Sequence, residues 1–407
     1  MQFYHAQLDN GLTLIAEESP AARSVALGFF VRTGARDESP ELAGVSHFLE
    51  HMIFKGTDSR SALEVNLEFD NMGAKYNAFT SEENTVYYAA VLPEYQRRVL
   101  ALWADLLRPA LREDDFHTEK GVILEEIAMY QDQPHFDVVD RCRRLHFAGH
   151  PCGNSVLGTA ASISALTAGQ MRDYFRGRYA PDNMVLAAAG QLDWDSLVAD
   201  ARHLCGLWTT AGPQRRLSHF PGTGRTELAR KDAARQHLCL MSPGPAAQDP
   251  QRIAAHVLAA VAGDDTGSRL YWDLVDPALA DAADLDYESL DGTGLFVGYI
   301  SCDPALTTRV VQIARDTLAR LAADGVAPDE LQAAKNKIAA AATLSGELPL
   351  GRLVPLGYDW LYRREYRTLS QDIAAIQAVS AADLARLLAA CPLDRFTLQG
   401  LGACTAL

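Results

Sequence analysis

The sequence lacks the long apolar runs and amino-terminal signals of membrane and exported proteins. Its longest apolar stretches, such as 24–31, fall far short of the roughly 20 residues that cross a bilayer. The amino terminus has no basic segment followed by an apolar one and no arginine-rich stretch, so we expect neither a secretory signal nor a transit peptide. These absences predict a cytoplasmic, bacterial protein.

Paired cysteines and an excess of positive charge are also missing. The seven cysteines are odd in number, widely spaced and without a C-x-x-C motif, which predicts buried thiols rather than disulfides or a cysteine zinc site. A formal net charge of −15 argues against nucleic acid and membrane as partners. The same charge fits a surface charged for solubility, which we favour, or an acidic cavity that suits basic peptides.

The chain is long enough for two domains. Its 407 residues, 48% hydrophobic and 22% charged, have the composition of an ordinary globular protein. Between 213 and 232 the sequence is rich in Gly, Pro and Arg and has little periodicity, which is typical of a linker. We therefore predict an N-terminal domain at 1–212 and a C-terminal domain at 233–407.

The order of predicted elements is similar in the two halves. A strand at 25–31 precedes a helix at 44–54, and a strand at 237–241 precedes a helix at 251–262. This weak self-similarity suggests a duplication. We expect an α+β fold of two similar tandem domains, each a largely antiparallel sheet packed against helices, as in a duplicated α/β roll.

The predicted helix at 44–54 carries the pattern H-x-x-E-H, formed by His47, Glu50 and His51. At about 100° per residue, the three side chains project from one face. Two imidazoles one turn apart can bind one tetrahedral zinc, with the carboxylate beside the open coordination position. Glu50 can then take a proton from a water molecule and pass it to a leaving amine. A chance occurrence is uncommon, because the chain has only 11 histidines.

A catalytic zinc needs a third protein ligand, and the helix predicted at 114–132 offers three glutamates. Glu119 and Glu126 are seven residues apart and share one face, whereas Glu125 is rotated by about 100° from Glu126. We expect Glu126 to bind the metal and Glu119 to orient a ligand or the water. The alternative is a solvated acidic face of a helix.

The second half does not repeat this pattern. When its helix is aligned with the first, His256 matches His47, but Ala259 and Ala260 stand where Glu50 and His51 would be. We therefore expect a C-terminal domain without metal chemistry.

Four motifs together resemble the pitrilysin or insulinase family of zinc peptidases, and most of all its smaller members, similar to the catalytic subunit of mitochondrial processing peptidase and its bacterial relatives. They are HFLEHMIFKGT, NAFTSEENTVYY, EKGVILEEIAMYQDQP and YAPDNMVLAAAG, and the resemblance covers nearly all of 8–206. It implies one Zn²⁺ per chain on His47, His51 and Glu126, with Glu50 as base and Glu119 as the upstream glutamate.

The same resemblance implies that 73–81 is an edge strand to which the peptide substrate adds as a further strand. Asn77 and Ala78 would lie nearest the scissile bond, and Phe79 would line a pocket. An ordinary packing role for Phe79 is an equally good interpretation, because aromatic side chains in strands usually pack.

The second half departs from the family at one stretch. Self-sufficient relatives carry R-G-L-x-Y ahead of a D-T-G-L-F strand. This chain keeps that strand as Gly-Thr-Gly-Leu-Phe at 292–296 but reads Pro-Ala-Leu-Ala-Asp at 277–281. A cation and a hydroxyl that would stabilise the oxyanion are therefore missing. We expect a second homologous subunit to supply them in a heterodimer, the two clamshell halves enclosing a chamber, and otherwise a homodimer.

The sequence thus predicts a zinc metallopeptidase that hydrolyses short or unfolded peptides. Two alternatives stay open. A non-catalytic subunit or peptide-binding scaffold of the same fold has no need of Glu50, and a non-peptidase zinc hydrolase has no need of the NAFTS strand. Leader peptides, signal fragments and general peptide turnover all fit as natural substrates.

Overall fold

The computed structural model describes the whole chain, Met1–Leu407, as two compact units. Unit 1 comprises Met1–Ile127, Asn154–Arg215 and Thr343–Thr368, and unit 2 comprises Ala128–Gly153, Arg216–Ala342 and Leu369–Leu407. Each unit has one sheet and helices packed against it. The expected α+β fold of two similar domains is confirmed.

The first half of the chain supplies six strands and eight helices. The strands are β1 (Gln2–Gln7), β2 (Thr13–Glu18), β3 (Val25–Val31), β4 (Lys75–Thr80), β5 (Thr85–Val91) and β6 (Met184–Gly190). The helices are α1 (Val45–Ile53), α2 (Ala62–Asn71), α3 (Gln96–Leu106), α4 (Glu113–Asp132), α5 (Pro134–His146), α6 (Ala160–Ala165), α7 (Ala168–Arg178) and α8 (Trp194–Cys205).

The second half supplies five strands and six helices. The strands are β7 (Thr226–Arg230), β8 (Gln236–Pro243), β9 (Ala280–Leu290), β10 (Thr293–Cys302) and β11 (Thr397–Gly402). The helices are α9 (Arg252–Gly263), α10 (Thr307–Asp324), α11 (Pro328–Gly346), α12 (Pro349–Arg363), α13 (Leu369–Ala378) and α14 (Ala381–Ala390).

The two sheets have the same topology. The order in unit 1 is β1-β2-β6-β3-β5-β4, and in unit 2 it is β7-β11-β8-β10-β9. Without β1, the two orders match strand for strand, and in each sheet one pair alone is parallel: β2 with β6, and β7 with β11. Helix α1 follows β3 as α9 follows the matching β8. This correspondence supports the duplication inferred from the sequence.

Each sheet is covered on one face by a helix from the other half of the chain. In unit 1, α12 packs its leucines Leu353, Leu356 and Leu361 against a sheet face that includes Phe30 and Val86. In unit 2, α5 lies against the matching strands β8 and β11. The halves of the sequence therefore interleave, so neither compact unit is a contiguous stretch of chain.

A buried ion pair anchors helix α12 to the sheet of unit 1. Arg352 donates from Nε and Nη2 to the two carboxylate oxygens of Glu17 on β2, at 2.9 and 2.7 Å. Tyr366 donates a further hydrogen bond to Glu17 at 2.9 Å. Both charged side chains are nearly inaccessible to solvent, so the pair fixes the helix in one place on the sheet.

The structure adds two details to the predicted organisation. The stretch 213–232, predicted as a linker, contains β7, which pairs with β11. No single helix is long and apolar enough to cross a membrane, and α13 and α14 reach such a length and composition only when taken together, across a bend of 82°. The domain boundaries at 212 and 233 stay a prediction.

Candidate metal centre

The helix that carries H-x-x-E-H begins at a glycine that cannot cap it. Gly44 has a φ of 90°, and a Cβ there would lie 2.5 Å from the carbonyl oxygen of Leu157. The missing cap is supplied by Glu38, whose carboxylate accepts hydrogen bonds from the N–H groups of Gly44 (2.6 Å) and Ser46 (2.7 Å). Burial raises the pKa of Glu38 to about 7, against the opposing effect of these N–H donors.

Helix α4 is placed beside α1 by apolar packing. The rings of Phe48 and Phe116 stack with their centroids 4.8 Å apart, and Ile123 belongs to the same core. On α4, Val122 is 45% exposed, whereas Glu119 is buried. The buried face of α4 therefore runs through Glu119, which brings the glutamates towards the histidines.

Three predicted ligands meet at this contact. Nε2 of His47 lies 3.8 Å from Oε1 of Glu126, and Nε2 of His51 lies 3.6 Å from Oε2 of Glu126. One donor atom from each of the three residues lies within 4.8 Å of the others. No other group of three or more His, Cys, Asp or Glu side chains in the chain has this property.

The donor set fits a zinc ion. Tetrahedral zinc with bonds of about 2.0–2.1 Å holds its ligand atoms roughly 3.3 Å apart, close to the separations found here. Oε2 of Glu126 and Nδ1 of His47 are buried without a hydrogen-bond partner, so direct hydrogen bonds do not explain the cluster. Burial, aided by the charge of His51, lowers the pKa of His47 to about 3, so this imidazole is neutral, as a ligand must be.

The carboxylate of Glu119 holds the imidazole of His51 through the ring nitrogen that does not face Glu126. Nδ1 of His51 donates to Oε1 of Glu119 at 2.9 Å, which leaves Nε2 free to bind a metal. Oε2 of Glu119 in turn pairs with Nζ of Lys55 at 2.5 Å. Burial acts to raise the pKa of Glu119, but the hydrogen bonds from His51 and Lys55 outweigh it and lower that pKa. Sequence reasoning missed Lys55, although it belongs to the HFLEHMIFKGT motif.

The expected base also has a partner that sequence reasoning missed. Glu50 accepts a hydrogen bond through Oε2 from the hydroxyl of Thr80, at 2.6 Å. Burial raises the pKa of Glu50, and the Thr80 hydrogen bond acts in the opposite direction. A raised pKa suits a group that must accept and then release a proton. Thr80 ends the NAFT segment of the NAFTSEENTVYY motif, and this position in the motif is the sequence signal that could have pointed to it.

Strand β4 lies at the edge of its sheet, as the sequence predicts for the substrate strand. Its side chains alternate. Ala78 belongs to the core cluster that includes α1, and Thr80 reaches Glu50 on the same side. Asn77 is exposed. Phe79 packs against the opposite core cluster with its ring 6.3 Å from that of Tyr88, so its packing interpretation gains support and it does not join the metal cluster.

Unit 2 has no comparable cluster. Ala259 is buried on α9, and His256 packs its ring 4.8 Å from that of Tyr287. The hydroxyl of Tyr287 donates to the carbonyl oxygen of Pro245 at 2.7 Å, so Tyr287 is a core residue. Ala278, at the position of the glycine in R-G-L-x-Y, has a φ of 58°, a conformation that normally favours glycine.

Sequence comparisons bear directly on this geometry. The profile "Insulinase (Peptidase family M16)" matches 13–160, and "Peptidase M16 inactive domain" matches 165–338. An uncharacterized zinc protease of Bacillus subtilis, YmxG, is 33% identical over 374 residues, covering 91% of each chain. The chain belongs to peptidase family M16. The resemblance to the insulinase family is thereby confirmed. The stretch matched by the insulinase profile, 13–160, includes His47, Glu50, His51 and Glu126.

Other similar proteins match this chain along most of their length. An uncharacterized zinc protease of Streptomyces coelicolor is 33% identical over 390 residues, covering 93% of this chain and 84% of its own. A protease from Helicobacter pylori superposes with a TM-score of 0.89 at 20% identity, over 98% of this chain and 99% of its own. An M16 inactive domain from Pseudomonas fluorescens superposes with a TM-score of 0.93 at 16% identity, over 100% of this chain and 99% of its own. These two structures show the shared fold alone.

Proposed function

We propose that this M16 protein is a zinc metallopeptidase that hydrolyses short or unfolded peptides, with one Zn²⁺ per chain. The observation that carries the proposal is the convergence of His47, His51 and Glu126 beside Glu50. A zinc ion held there would polarise the scissile carbonyl and lower the pKa of a water molecule. The zinc proteases named among its relatives support the same choice of metal.

In this proposal the chain's own residues divide the work. Glu50 keeps Oε2 hydrogen-bonded to Thr80, so Oε1 is the oxygen that takes a proton from the attacking water and passes it to the leaving amine. Glu119 holds the imidazole of His51 in one tautomer. The free edge of β4 pairs with an extended peptide, with Asn77 and Ala78 nearest the scissile bond.

We further propose that the active enzyme is a heterodimer, whose second, homologous subunit supplies an arginine and a tyrosine to the oxyanion. The support is that 277–281 offers neither side chain, that no arginine lies between Leu274 and Leu290, and that Tyr287 is committed to the core. The left-handed backbone at Ala278 supports the alignment with R-G-L-x-Y. A homodimer is the alternative.

The metal and the base are tested by Glu50→Gln. We expect this variant to retain zinc, measured by atomic emission, and to lose cleavage of a fluorogenic peptide library by at least a thousandfold, because the amide cannot take a proton. A chelator should abolish the wild-type activity, and zinc should restore it. Cleavage by Glu50→Gln at the wild-type rate would refute the assigned base, and activity that survives chelation would refute the metal.

The heterodimer is tested by assaying the purified chain alone and after adding a homologous chain that has R-G-L-x-Y but lacks H-x-x-E-H. We expect low activity alone and a large gain on mixing, because two oxyanion contacts are completed. Full activity of the single chain would contradict the divided site without affecting the zinc assignment.

A further inference from the structure

The last residue of the substrate strand is linked to the base. Thr80 ends β4, and its hydroxyl donates to Oε2 of Glu50 at 2.6 Å, which is short for a bond to a neutral acceptor and typical of a bond to a carboxylate. Glu50 has no other side-chain hydrogen bond in the structure. We infer that Thr80 is a positioning residue, which fixes the carboxylate of Glu50 for proton transfer in the peptidase reaction proposed above.

A glutamate that stands alone on a helix has several rotamers to choose from, and only some of them aim an oxygen at the reacting water. The bond to Thr80 selects one of them and occupies Oε2, so Oε1 stays free. Threonine suits this role because its β-branched side chain is stiff at χ1, which directs the hydroxyl from the strand.

The two elements joined by this bond are also held together at the backbone. The N–H of Ala35 donates to the carbonyl oxygen of Ser81 at 3.3 Å, and the N–H of Arg36 donates to that of Glu82 at 2.7 Å. The loop that leads to α1 is therefore attached to the hairpin that follows β4. Thr80 and Glu50 keep their separation without relying on their side chains alone.

The same strand would hold the substrate and the base. Asn77 and Ala78 lie three and two residues before Thr80, respectively, on the edge strand that the peptide would join. Proton transfer should therefore depend on the hydroxyl of Thr80, whereas peptide affinity should depend on the backbone of β4. This separation predicts a change in kcat with little change in KM.

The first experiment compares Thr80→Val, which keeps the shape and removes the hydroxyl, with Thr80→Ser, which keeps the hydroxyl. In the active assembly we expect Thr80→Val to lower kcat about tenfold to a hundredfold, with KM changed less than about threefold and zinc content unchanged. Thr80→Ser should stay within about threefold of wild type. The inference is overturned if Thr80→Val keeps wild-type kcat, or if Thr80→Ser falls as far as Thr80→Val.

The second experiment measures the bond in the metal-free protein and does not need activity. Thermal unfolding of Thr80→Val, Glu50→Ala and the double variant forms a double-mutant cycle. We expect the Thr80→Val change to lower the unfolding midpoint in the wild-type background and to have little effect once Glu50 is alanine. Equal shifts in both backgrounds overturn the inference. A wild-type assembly without chelator-sensitive cleavage would refute the proposed function, while the cycle still decides whether Thr80 and Glu50 are coupled.

Discussion

The carboxylate behind His51 allows a quantitative test of the metal centre. Glu119→Gln keeps the length of the side chain and an oxygen that can accept from Nδ1 of His51. The amide NH₂ group, however, then faces Nζ of Lys55, which now contacts Oε2 at 2.5 Å. Two donors cannot share that hydrogen bond, so the amide must turn away from His51 or leave Lys55 unpaired. The first outcome removes the hydrogen bond to His51, and the second weakens it, because a neutral amide oxygen is a poorer acceptor than a carboxylate.

The expected loss is about tenfold to a hundredfold in zinc affinity, the usual effect of removing the partner of a metal-bound histidine. In free energy this is about 1.4–2.7 kcal/mol. Loss of a single hydrogen bond to a charged group costs about 1.5–3 kcal/mol, so the two routes to the magnitude agree.

The assay is competition for zinc with a chromophoric chelator at fixed pH, which gives the dissociation constant without any substrate. The matched control is Glu125→Gln, on the same helix and exposed to solvent. It removes the same charge one residue from Glu126, so the difference between the variants isolates the contact with His51. Zinc affinity of Glu119→Gln within twofold of wild type would refute the reasoning, and so would an equal loss in Glu125→Gln.

Two further predictions concern the units themselves. A fragment 1–212 should fail to fold, because it lacks the buried leucines Leu353, Leu356 and Leu361. Burial of each contributes about 2–5 kcal/mol, so the three together match the free energy of unfolding of a typical domain. A cooperative thermal transition of the fragment would contradict this prediction. Burial raises the pKa of Asp284 in unit 2 to about 6, so folding favours the protonated carboxyl. The resulting contribution to stability is fully present below about pH 4 and is lost as the pH rises through about 6. Asp284→Asn should remove that dependence and stabilise the protein at pH 7.5 by about 1–2 kcal/mol, measured as thermal midpoints at several pH values; unchanged pH dependence would show that Asp284 is not its source.

Local spacing was enough to predict the elements that carry the candidate site. The strand at 25–31 has the predicted bounds, and the helices at 44–54 and 114–132 are found within one residue at each end. The seven-residue interval between Glu119 and Glu126 placed both on the histidine side of α4, because helix geometry depends on few neighbours. Roles for these side chains remain predictions for the experiments above.

Contacts between distant parts of the sequence could not be predicted in the same way. Glu50 meets Thr80 across 30 residues, and Lys55 meets Glu119 across 64, at distances that depend on how α1 sits between β4 and α4. The packing of α5 and α12 on the sheet formed by the other half of the chain is harder still to predict. An apolar helix face indicates that something covers it, but not which sheet.

The position of α12 has a consequence for synthesis of the chain. The sheet of unit 1 has all its strands once β6 has emerged from the ribosome, yet the helix that covers Phe30 and Val86 is made roughly 160 residues later, about 8–30 s at ordinary rates of translation. Throughout that interval the nascent first half presents a bare apolar sheet face. Folding of unit 1 is therefore completed only near the end of translation, and any prematurely terminated product carries that face uncovered.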